Sequence, residues 1–141
     1  AWNKSSGRQF CSWRDAWIWG YALHHDWADP WEWRPRELNG EADSWCNKVM
    51  NEEKSGVMRD SRGRDFVAQG VNLLVTTDGG SRTEVGLSAT GWTIQAHAVF
   101  NGLFFSRILS QGGTLHNRSM PSLEIEILAA TEALRELSRL L

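Results

Sequence analysis

The sequence is short of cysteine and proline and carries almost no net charge. Its two cysteines, Cys11 and Cys46, form no CxxC pair and no zinc-like cluster with the four histidines. That excludes a disulfide scaffold and a structural zinc site. Each reads as a small core residue, which suits a reducing compartment, cytoplasm or nucleus. No run of 18 apolar residues occurs, so no membrane helix is expected. The polar start, AWNKSSGRQF, does not read as a secretion signal. The net charge of −2 excludes an overall basic field. A nucleic-acid partner would have to be held by local patches. Low-complexity segments and short repeats are also missing.

What remains is ordinary for a globular chain: 141 residues, 41% hydrophobic and 23% charged, enough for one compact domain or pieces of two. Tryptophan is the exception. Eight of nine fall in the first 45 residues, and Trp92 stands alone later. Such rings serve either as stacking platforms for bases or as packing bulk. Trp13, Trp17 and Tyr21 recur every four residues on one helix face, which favours packing.

Apolar spacing predicts a helix over residues 9–25, with Phe10, Trp13, Trp17 and Tyr21 inward. Pro30 ends it, residues 31–33 suit a short strand, and Pro35 ends that. A second helix is expected over about 41–51. Asn39 would cap it, and Glu41 and Asp43 lie near its positive end. Residues 54–70 have mixed charge and little periodicity, and read as a linker between segments 1–53 and 71–141. Then VNLLVTT (71–77) reads as a buried strand. Two more strands flank a hairpin turn at Asn101–Gly102, residues 112–121 read as loop, and a helix follows over 122–141, capped by Ser122.

At about 100° per residue, Leu123, Ile127, Ala130, Leu134, Leu137 and Leu141 form the apolar stripe of that last helix. Glu132, Glu136, Arg135 and Arg139 are expected to face solvent. Glu126 falls at the edge of the stripe, where a carboxylate either snorkels to water or binds a partner. Asp78 is the second unusual acid. It follows an apolar strand and precedes Gly79–Gly80, which suits either a simple turn or close approach of backbone to a ligand. Two such acids suit a hard cation such as Mg²⁺, which binds oxygen and keeps several waters. Two-metal hydrolysis of a phosphodiester asks for three or four.

VTTDGGSR followed by GWTI, and SLEIEILAATEAL, resemble the first strands and first helix of the ribonuclease H domain of retroelements and related eukaryotic proteins. WRPRELNGEADSWCNKVMN resembles the closing segment of the same domain. The resemblance implies a ribonuclease H-like α/β (α+β) fold, a mixed sheet with flanking helices. It implies a Mg²⁺ (or Mn²⁺) dependent endonuclease that cuts the RNA strand of an RNA–DNA hybrid. Asp78 would bridge two ions, Glu126 would hold one and orient groups near the ribose hydroxyl, and Asp43 would hold the other. Gly79, Gly80 and Ser81, with Ser122 and Asn39, are the implied nucleic-acid contacts. Arg34, Arg36, Arg62, Arg64 and Arg82 are candidates for phosphates.

The sequence departs from the family pattern in three ways. A histidine ten residues before the last aspartate is replaced by Trp33. The fourth strand and its aspartate have no counterpart. The asparagines before the helix glutamate are Ser122 and Leu123. The closing segment also precedes the opening one. The order fits either a slice through two successive domains or a permuted domain whose halves join. A catalytically inactive, hybrid-binding module of a retroelement-derived protein is the alternative function.

Overall fold

The computed structural model describes residues 40–141. The helix expected over 9–25, the strand at 31–33, Cys11, Asn39, Arg34, Arg36 and Trp33 fall outside the described residues. Within them the chain has mixed α+β content, a five-stranded antiparallel sheet with three helices. The elements are α1 (Gly40–Glu52), β1 (Gly56–Arg59), α2 (Gly63–Ala68), β2 (Asn72–Arg82), β3 (Leu87–Phe100), β4 (Leu103–Gly113), β5 (Leu115–His116) and α3 (Ser122–Leu140). The sheet order is β1-β4-β3-β2, with β5 on the start of β3. Every described pairing is antiparallel. A mixed sheet would need parallel neighbours, and the described residues contain none.

The hairpin forms where the sequence placed it. Asn101 and Gly102 take φ of 51° and 76°, the left-handed pair that a tight turn between twisted strands requires. β3 is paired on both sides, and its register to β4 shifts between Ile94 and Gln95, where Leu109 is the extra residue on β4. Its alternation splits the core. Trp92, Ile94 and Ala96 pack with Ile127, Ala130, Leu134 and Leu137 of α3. Leu87 and Ala89, from the opposite parity, pack with Cys46, Val49 and Met50 of α1. The sheet is therefore a middle layer between α1 and α3.

The segment read as a linker holds β1 and α2. β1 pairs with the end of β4, Gly56 opposite Gly113 through Arg59 opposite Ser110. All four of its residues are exposed, so no apolar alternation marks it in the sequence. Likewise β5 sits in the stretch read as loop.

Candidate functional site

Asp78 lies inside β2, opposite Gly91, not at the end of a strand; β2 continues four residues to Arg82. Thr77 and Asp78 carry on the ladder because Gly79 and Gly80 still pair with Thr90 and Ala89. A Cβ at Gly79 would lie 2.7 Å from the Ile125 backbone and 2.9 Å from the Glu126 nitrogen. Only glycine lets α3 come that close. On the other face, a Cβ at Gly91 would overlap the Ala42 carbonyl oxygen of α1. The Cys46 thiol donates to the Asp78 carbonyl oxygen at 3.1 Å. Thus α1 and α3 cross the sheet from opposite faces at one step of β2, Asp78–Gly79.

That step gathers the three segments carrying the predicted acids. Asp78 is half-buried, and its strand partner Gly91 faces α1. Asp43 is half-buried on α1, one turn before Cys46, and accepts a hydrogen bond from Asn47 Nδ2 at 3.4 Å. Arg82 of β2 donates to Asn47 Oδ1 at 3.3 Å, which turns this side of α1 toward the β2 edge. Glu126 is exposed on α3, beside the contact with Gly79. Desolvation by the surrounding protein raises its pKa above the ordinary carboxylate value. Among the described residues, no three of Asp, Glu, His and Cys stand as a group able to hold a metal ion.

The implied nucleic-acid contacts diverge. Ser81 Oγ shares a 2.7 Å hydrogen bond with Ser88 and donates to the Met120 carbonyl at 2.7 Å, so it ties β2 to the approach of α3. Ser122 is the exposed first residue of α3, not its cap; Pro121 occupies the cap position, and no side-chain cap bond forms. Gly80 is half-buried under the Met50 methyl. Arg62 and Arg64 are exposed on and before α2, and Arg62 stacks over Phe66.

Two acids expected on the solvent face of α3 are held inward. Glu136 is 6% exposed. It accepts from Arg59 Nε at 2.6 Å, from Arg59 Nη2 at 3.2 Å and from Ser110 Oγ at 2.8 Å. Burial pushes its pKa up, but the Arg59 and Ser110 hydrogen bonds and the Arg59 and Arg139 charges outweigh burial and hold it below the usual range. Glu132 accepts from the Thr90 and Thr114 hydroxyls. Leu141, expected on the apolar stripe, lies past the helix end and is exposed. The sequence also gave no prominence to Asn47, although its i, i+4 spacing from Asp43 is a signal that could have found it.

Among the described residues no helix is long and apolar enough to cross a membrane. No protein-family model matches the chain, and neither a curated protein nor a solved structure matches it.

Proposed function

We propose that the chain is a ribonuclease H-type unit that engages an RNA–DNA hybrid at the Asp78 side of the sheet and hydrolyses its RNA strand. One observation supports this most. The segments bearing Asp43, Asp78 and Glu126 come from both parts of the sequence and meet at the Asp78–Gly79 step. A shared crossing point is what a permuted domain requires, and it equally suits the two halves of a slice that pack through complementary apolar faces.

Three carboxylates without thiol or imidazole make a hard-oxygen donor set, the kind that suits Mg²⁺. Asp78, Glu126 and Asp43 would hold the ions, which supply an activated water and charge neutralisation at the phosphate. As arranged, the three do not form one metal-holding group. Occupancy therefore asks for side-chain movement or a further ligand, the part that the fourth-strand aspartate plays in the family the chain resembles. Glu126 already carries a desolvation penalty as an anion, and a bound cation would relieve it. Arg82, held by Asn47 one turn from Asp43, would supply a cationic group for a phosphate.

The second reading is a hybrid-binding module without turnover, which Trp33 in place of the family's histidine favours. Cleavage and binding assays on one labelled RNA–DNA hybrid in Mg²⁺ separate the two. Hydrolysis by the wild-type chain that Asp78→Asn abolishes supports the nuclease. Hybrid binding that is retained in both, with no cleavage in either, supports the module. Absence of both binding and cleavage overturns the proposal.

A further inference from the structure

α1 has 13 residues, about 20 Å at 1.5 Å per residue, whereas the 14 residues of β3 span roughly 45 Å. A helix of that length cannot cover the strand. Its contacts run from Leu87 and Ala89, through Gly91 under Ala42, to Gln95, whose amide donates to the Glu41 carboxylate. Beyond Gln95 the same face of the hairpin continues as His97 and Val99 on β3, with Phe104 opposite Val99 on β4. Leu74, opposite Gln95 on β2, adjoins them. Val99 is 71% exposed and Phe104 66%. His97 stacks on Phe104 at 5.4 Å between ring centroids. Its Nε2 is withdrawn from solvent and has no hydrogen-bond partner among the described residues. The neighbouring Asn72 and Ser106 are uncharged, so among the described residues no lysine or arginine joins this face to pair with a phosphate.

We infer that this face is the docking surface for the chain's own tryptophan-rich segment, residues 9–25. Three observations select that occupant. The described chain begins at Gly40, and Glu41 is bonded to Gln95, so the N-terminal end of α1 lies beside this face. The segment's helical pattern places Phe10, Trp13, Trp17 and Tyr21 together, a ring surface that matches an uncharged apolar patch. The stretch from Asp26 to Asn39 spans up to about 45 Å when extended, far enough for the segment to fold back over the hairpin. A second copy would have to compete with a tethered segment, whose effective concentration is about millimolar for a short linker.

The test uses the full chain and limited trypsin digestion at Arg14, within the segment. Replacing Phe104 or Val99 with Asp should speed cleavage at Arg14 by about tenfold or more, as the docked segment is released. Phe105→Asp is the control. Phe105 is 53% exposed in the same hairpin but pairs with Ala98, so it belongs to the α3 side. It should leave the rate unchanged. Equal cleavage in wild type and Phe104→Asp overturns the inference, as does equal acceleration by Phe105→Asp. Sedimentation velocity closes the remaining route: a concentration-dependent dimer lost in Phe104→Asp would assign the face to a second copy instead.

Discussion

Glu136 shows how one buried carboxylate depends on a distant strand. Its partners come from β1, β4 and the next turn of α3. Removing Arg59 leaves an anion under α3 with only Ser110 and an exposed arginine beside it. Loss of one partner of a fully buried pair costs roughly 3–5 kcal/mol. Arg59 is 43% exposed, so solvent screens part of the interaction, and Arg59→Met should cost nearer to about 2 kcal/mol in urea unfolding. The pH dependence has a definite sign. Glu136 holds its proton less tightly folded than unfolded, so the unfolded chain protonates first as pH falls. Its contribution is complete above the ordinary carboxylate value of 4.5 and is lost as pH drops through the lower folded value. The stability gap between wild type and Glu136→Gln should therefore shrink from pH 6 to pH 3. Glu126 has the opposite sign. Its raised pKa makes the ionised form a burden above that range. Glu126→Gln should raise the melting temperature at pH 7, by about 2 °C or less for an exposed site, and lose that gain near pH 4. A constant difference across pH would show that desolvation of the anion is not its source.

At the scale of elements, two glycines set how closely the helices approach the sheet. Gly91→Ala would drive a methyl into the Ala42 carbonyl, which is backbone and cannot swing aside. Gly79→Ala meets the Ile125 backbone in the same way. Each should cost about 3 kcal/mol in urea unfolding, because a whole helix must retreat. Gly102→Ala meets nothing within 4 Å and suffers only its φ of 76°, about 1 kcal/mol. Near-equal losses at all three would mean that backbone conformation, not helix approach, decides. The same distinction explains what could be read from the sequence. The Asn101–Gly102 hairpin, α1 and α3 were legible because turn chemistry and helical spacing are local. β1 was not, since all its side chains are exposed and its only signature is a ladder to β4, more than fifty residues away. Glu136 reads as solvent-facing in the sequence for the same reason: its partner Arg59 lies 77 positions off, in a strand without a local signature. Asp78 was legible as an unusual acid, but its position within β2 was not. Gly79 and Gly80 suggest a turn, yet they continue the ladder because α3 and Met50 need the space.

For the whole molecule, the decisive feature is the edge that bears Asp78. Among the described residues β2 pairs with β3 alone, whereas β3 is paired on both sides. In an antiparallel edge strand every second N–H points away from its neighbour. Hydrogen exchange of the full chain should therefore give uniformly slow amides in β3 and alternating slow and fast amides along Asn72–Arg82. In the ribonuclease H family that the sequence resembles, the fourth strand lies along this same edge. Uniform protection of β2 would show that some extended segment already pairs there, next to Asp78. Alternation that gives way to uniform protection when an RNA–DNA hybrid is added would instead tie the open edge to substrate. The second outcome bears on activity, because a neighbour recruited to β2 would sit beside the half-buried carboxylate at the point where α1 and α3 cross. Persistent alternation with hybrid bound would leave Asp43, Asp78 and Glu126 as the whole acidic complement among the described residues at that step. The binding module would then be the better account of the chain.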